Sequence, residues 1–162
     1  MRALLFLLLV SVLPGEAAAR REALGIFQLW GAFREENRCY AISEPYRSPR
    51  PDAWRPFAAV GFWPRHGVRS QIHFRLSRAK RRGSAVLLRI DDRTFQLIGG
   101  GNNAWAPDGR ADAAILAAMR AGIEMTLETR SERGTLVRDS YRLRGAATAI
   151  DSAAIACARP AR

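Results

Sequence analysis

The sequence predicts a mainly β, antiparallel domain with two short helices and one disulfide, and three observations carry that expectation. Apolar residues recur with period 2 along most of the chain, and only two segments show helical spacing. Several period-2 runs are joined by connections too short for a crossover, which makes the neighbours antiparallel. The chain also opens with an export signal yet carries only two cysteines, Cys39 and Cys157, one near each end of the remaining residues.

From the N-terminus, Arg2 supplies a positive start, Ala3 to Leu13 a largely apolar run, Pro14-Gly15 a helix break, and Ala17-Ala18-Ala19 a small-residue cleavage pattern. Residues 1–19 are therefore expected to be a cleaved signal peptide and residues 20–162 a single domain. The apolar run is shorter than the ~20 residues a bilayer span needs, and no later segment is apolar enough to cross a membrane. Strands are expected at Ile26–Phe33, Arg38–Ser43 and Pro56–Trp63, with the Pro-rich stretch from Glu44 to Pro56 as a surface loop. Ile72, Phe74 and Leu76 then alternate with Gln71, His73, Arg75 and Ser77. Strands at Ser84–Ile90 and Arg93–Ile98 are linked by Asp91-Asp92 as a hairpin. Gly99-Gly100-Gly101 and Asn102-Asn103 form a flexible turn. Asp108 or Asp112 caps a helix whose inner face carries Ile115, Leu116 and Met119, and Gly122 ends it. Ile123, Met125 and Leu127 mark a further strand. It is joined through a turn at Glu132 to Gly134 to one with Val137, Asp139, Tyr141 and Leu143 on one side. The last helix, from about Ala146, puts Ile150, Ala153, Ala154 and Cys157 on one face.

In an oxidising compartment Cys39 and Cys157 are expected to pair, clamping the last helix to the strand around Cys39. A metal site would need more ligands, and only His66 and His73 exist, so neither metal nor cofactor is expected. The charge is one-sided: 26 basic against 15 acidic residues give +11, and Lys80 is the one lysine. Loss of residues 1–19 removes Arg2 and Glu16 and leaves that balance unchanged. A GC-rich genome accounts for arginine over lysine but not for the excess of cations. Such a surface attracts anionic partners: lipopolysaccharide, lipid head groups or acidic proteins. Export makes nucleic acid the least suited of these polymers.

Taken together, Trp30, Phe33, Cys39-Tyr40-Ala41, Ser43, Pro45, Ile90-Asp91, Phe95, Leu97 and Ala104-Trp105-Ala106 form an ordered pattern. It continues with Met119, Gly122, Met125, Ser131 to Thr135, Asp139, Tyr141, Leu143, Gly145 and Cys157. This pattern resembles the invasion-associated locus B family of exported, mostly alphaproteobacterial proteins, over nearly all of residues 20–162. The resemblance implies an antiparallel β-sandwich, immunoglobulin-like in kind, working in the periplasm, on the outer membrane or outside the cell. It brings no catalytic residues, and it implies an envelope protein rather than specifically a virulence factor. Trp30, Tyr40, Trp105, Arg133, Gly134, Asp139 and Tyr141 are its structural positions here.

The chain departs from that pattern at Arg75, Arg78, Lys80, Arg81 and Arg82, five cations within eight residues. Two readings stand side by side: a solvated loop whose charges keep a hairpin from pairing outward, or an anion-docking loop of guanidinium forks. Phe74 alone beside this run makes no nucleic-acid platform, which interleaves several aromatics. Trp30, Tyr40, Trp105 and Tyr141 are expected in the core or packing a loop, and Arg133 and Asp139 to face each other across the Gly134 hairpin as an ion pair. The sequence lacks a Gly-x-Ser-x-Gly elbow, a His-Glu-x-x-His pair and a phosphate-binding glycine signature. The expected function is therefore non-enzymatic: binding of an anionic envelope or host partner through a basic surface. The alternatives are an adaptor that holds a protein partner through an apolar patch at Trp54 and Trp63, and, more remotely, a hydrolase with a scattered Ser-His-Asp site.

Overall fold

The computed structural model describes residues 21–51 and 53–158; the expected signal peptide lies outside them. The period-2 runs become strands β1 (Glu22–Phe27), β2 (Trp30–Glu35), β3 (Arg38–Ser43), β4 (Phe57–Trp63), β5 (Val68–Arg75), β6 (Val86–Ile90) and β7 (Arg93–Gly100). After them come β8 (Asn103–Trp105), helix α1 (Gly109–Ala121), β9 (Glu124–Arg130), β10 (Leu136–Arg142) and helix α2 (Ala146–Ala158). The mainly β antiparallel character, both helices and the disulfide are as expected.

The division into two sheets is not. Hydrogen bonding runs unbroken through ten strands in the order β1-β2-β3-β4-β5-β8-β7-β6-β9-β10, a single sheet curled into a half-barrel rather than an immunoglobulin-like sandwich. The cause is β8. The glycine-rich stretch expected to be a flexible turn is a tight hairpin about Gly101 and Asn102, and three residues beyond it pair with both β5 and β7. That short strand joins what would otherwise be two sheets. A second difference lies at the start, where the strand expected over Ile26–Phe33 breaks into β1 and β2. Gln28 takes the left-handed conformation (φ 58°) and turns the chain without any glycine or proline.

The curl brings distant strands together. Trp30 Nε1 donates to the Arg142 carbonyl (2.9 Å), tying β2 to the end of β10. The loop after β3 lies along the free edge of β10, with Tyr46 N donating to Ser140 O (2.9 Å) and Ser140 N to Arg47 O (2.7 Å). An edge covered in this way offers no template for another strand. Gly145 sits where a Cβ would stand 1.9 Å from the Phe27 carbonyl oxygen, at φ 91°, so the chain can enter α2 there only as glycine.

Both helices pack on the inner face. Asp108 caps α1 by accepting from Ala111 N (2.8 Å), and Ile115 and Met119 reach the core. Asp112 accepts the Ile72 N–H (2.7 Å), filling the edge of β5 that the short β8 leaves unpaired. α2 lies across β1 to β4, approaching closely through Ala146, Ala149 and Ala153, with Ile150 between them. Cys157 joins Cys39 of β3 with 5.7 Å between the Cα atoms, and Arg34 Nη2 donates to the Ala156 carbonyl (2.8 Å) beside it. Trp30, Phe74 and Tyr141 are the largest side chains wholly enclosed.

Candidate functional site

Backbone hydrogen bonds set the course of the segment after β5. On one side Leu76 N donates to Asn102 O (2.8 Å) and Lys80 N to Gly101 O (2.7 Å), tying it to the β7–β8 turn. On the other, Glu132 N donates to Ala79 O (3.1 Å) and Arg81 N to Arg130 O (2.8 Å), while Lys80 and Ser131 form an antiparallel bridge. Gly83, at φ 80°, then turns the chain toward β6. A segment laced on both flanks is not a freely solvated loop. Its main chain is fixed, so its cationic side chains are presented at a fixed place.

The β9–β10 turn forms the facing wall. Gly134, at φ 80°, closes it with its N–H on Ser131 O (2.8 Å), and Arg130 Nη1 donates to the Gly134 carbonyl (3.1 Å). The Arg81 guanidinium lies 3.9 Å from where a Gly134 Cβ would stand. Between wall and segment is a cavity of about 430 Å³, lined among others by Arg78, Arg133, Ser131, Thr135, Pro49 and Val137. The Ser131 and Thr135 hydroxyls share a hydrogen bond of 2.6 Å there. Among the described residues, Glu132 is the one carboxylate in the lining. Among the described residues, Lys80, Arg81, Arg82 and Arg133 have no ion-pair partner. Gathering like charges raises the local potential, and an anion bound among them lowers it. Two guanidiniums and two hydroxyls around one opening suit phosphate or carboxylate oxygens.

Of the five cations grouped by the sequence, Arg78, Lys80, Arg81 and Arg82 stay together. Arg133 joins them, although the sequence read it as half of an ion pair, and Arg130 was not singled out at all. The pairing of the 76–84 segment with the turn is long-range, so only the nearness of Arg130 to Arg133 in sequence hinted at it. Arg75 goes elsewhere, onto the outer face of β5 over the Phe57 ring (5.3 Å).

Asp139 corrects the expected ion pair. Its side chain points inward and is fully buried, and its Oδ2 accepts the Ser77 N–H (2.9 Å) while Arg133 stays exposed in the turn. Burial raises its carboxyl above the ordinary range, with the Ser77 hydrogen bonding pulling the other way. Asp139 thus anchors the root of the basic segment to β10. Tyr141 is enclosed beside Phe74, and burial carries its hydroxyl well above the ordinary phenol value. Tyr40 donates to Glu35 (2.9 Å) and stacks on Phe33. Trp105, expected in the core or packing a loop, lies half-exposed on the outer face of a strand, stacked on His73 with 5.2 Å between ring centres. The Trp54–Trp63 patch does not form. Trp54 is committed through its Nε1 to the Leu76 carbonyl (2.7 Å), and Trp63 folds over Gly61 at the other end of β4, about 20 Å of strand away.

With this geometry in place, the chain can be set beside solved structures. Invasion associated protein B from Bartonella henselae superposes with a TM-score of 0.58, covering 83% of this chain and 96% of that one at 14% identity. The two share a fold. At this identity the fold is what the likeness establishes, and it agrees with the family resemblance of the sequence. No family model and no curated protein matches the chain.

Proposed function

We propose that this is an exported, non-catalytic envelope protein that binds an anionic partner through the cationic end built from Arg78, Arg81, Arg82 and Arg133. The observation that carries the reading is the lacing of residues 76–82 between two turns, which holds those cations beside a cavity edged with hydroxyls. The net charge of +11 adds long-range attraction, and the invasion associated protein B fold is consistent with an envelope role. The periplasm is the working compartment on this reading, reached through the signal peptide at residues 1–19, and lipopolysaccharide or lipid head groups are the partners of suitable charge. An adaptor role through Trp54 and Trp63 has lost its basis, since those rings lie apart.

The test is capture of the oxidised protein on lipopolysaccharide and on anionic vesicles, titrated with salt. Replacing Arg78, Arg81 and Arg82 together by Gln should weaken capture about a hundredfold, at about 1 kcal/mol per cation near an anionic surface. Wild-type capture should itself fall steeply with salt. Unchanged capture by the triple variant would remove this segment from the binding site.

A further inference from the structure

On the outer face of the sheet the two halves of the molecule differ. Over β6, β9 and β10 that face is mostly polar, with Leu87 and Leu136 exposed among its polar residues. Thr94, Arg89, Thr126 and Ser140 line up across the strands, and Arg138 pairs with Glu128 at 2.8 Å. This is the ordinary pattern for an antiparallel sheet with one wet face. Over the other strands the pattern fails. The register places Ile26, Gly31, Ile42, Ala59, His73, Trp105 and Ile98 in one row across seven strands. The row is about 29 Å long at ~4.8 Å per strand, and it contains no formal charge. Burial keeps His73 below its ordinary pKa, its Nε2 is paired with Asn103 Oδ1 (2.9 Å), and its ring meets Phe57 edge-on as well as stacking on Trp105. Ile26 and Ile98, near the two ends, are 69% and 54% exposed. Neither helix covers this row, because both pack on the inner face.

Arginines rim the same surface, each held against an aromatic ring: Arg21 over Phe33, Arg38 over Tyr40 and Arg75 over Phe57. Arg21 and Arg38 share the carboxylate of Glu35 (3.5 and 2.8 Å), whereas Arg75 has no carboxylate partner among the described residues. The rim therefore carries net positive charge around an apolar centre. A second copy of the chain would set two such rims against each other, at a net charge of +11 each. A bilayer bearing anionic lipid offers the complement, with phosphates for the rim and an acyl boundary for the row.

We propose that this outer face docks on an anionic lipid bilayer, with Ile26, Trp105 and Ile98 entering the acyl boundary and Arg75, with Arg21 and Arg38, lying among the phosphates. The proposal deepens the envelope-binding reading, sharing with it the anionic surface but none of the residues at the cationic end.

The experiment is vesicle sedimentation of the oxidised protein on phosphatidylglycerol–phosphatidylcholine vesicles at about 0.5 M salt, where screening has largely silenced exposed cations. I26S/I98S should lower the remaining partition by about tenfold or more. On the unaltered protein, brominated lipid should quench tryptophan emission. Both isoleucines are exposed, so the substitutions spare the core, and the quenching arm needs no substitution at all. Equal partition of variant and wild type, or absence of quenching, overturns the proposal. Without vesicles, concentration-dependent dimerisation abolished by I26S/I98S would overturn it in favour of a second copy. In a parallel series at low salt, where exposed cations count, loss confined to the R78Q/R81Q/R82Q variant would uphold the cationic end and sink this face, and the reverse result would do the opposite.

Discussion

Replacing Cys39 and Cys157 by alanine is expected to lower the thermal midpoint by roughly 12–20 °C. The disulfide closes a loop of sequence separation 118, and on the chain-entropy view such a loop stabilises by roughly 3 to 5 kcal/mol. For a domain of this size about 4 °C accompanies each kcal/mol. The native contacts point the same way. α2 faces β1 to β4 largely through alanines, which let it approach closely but bury little area each. Apart from the disulfide, the polar tie near its end among the described residues is the Arg34 Nη2 bond to Ala156 O. Without the disulfide the last turns of α2 are expected to lose amide-exchange protection before the sheet does. Differential scanning calorimetry of oxidised wild type against the double variant checks the magnitude, and a thiol count on the oxidised protein should find none. A shift below about 5 °C would show that the inner-face packing of α2 holds the helix unaided.

Much of the fold was legible because it is local. Alternation placed most of the strands, Asp108 and Gly122 framed α1, and helical spacing turned Ile150, Ala153 and Cys157 toward the sheet. What escaped was non-local or lacked a turn signature. β8 is three residues long and gains its partners from strands on either side in space, so no window of sequence shows it, and without it the strands fall into two sheets. The break between β1 and β2 depends on Gln28 in a conformation that its side chain does not advertise.

The candidate sites divide in the same way. The cationic run was visible as composition, but its neighbours at Arg130 and Arg133 became so only through the pairing of Lys80 with Ser131. Trp105 carried an unused signal: it stands between Ala104 and Ala106, both buried, and in a strand that parity turns the large ring outward. The outer row needs the register of seven strands at once. Asp139 was placed correctly on the same side as Val137 and Tyr141, yet its charge suggested a surface partner. The structure resolves this by giving the carboxylate a backbone N–H instead.

Two substitutions at that carboxylate should part in opposite directions. Asp139→Ala leaves the Ser77 N–H buried without an acceptor, which costs about 1–3 kcal/mol and loosens the root of the cationic segment. Vesicle capture should then weaken although no cation has been removed. Asp139→Asn keeps an oxygen for Ser77 but cannot ionise. Because burial raises the carboxyl pKa in the folded chain, the folded state holds the Asp139 proton more tightly than the unfolded chain does. The stability this group contributes is therefore fully present below the ordinary aspartate range and is lost as pH rises through the folded-state pKa. Asp139→Asn should escape that loss, so at neutral pH it should be at least as stable as wild type, and the difference should shrink as the pH is lowered below the folded-state pKa. Ser77 Oγ and Tyr141 Oη, both buried and without a hydrogen-bond partner among the described residues, give the asparagine amide acceptors to meet. Denaturant midpoints of the three proteins from acid to neutral pH decide the matter. If Asp139→Asn proved as unstable as Asp139→Ala at neutral pH, the ionised carboxylate itself would be the anchor, and charge rather than hydrogen bonding would fix the cationic segment to β10.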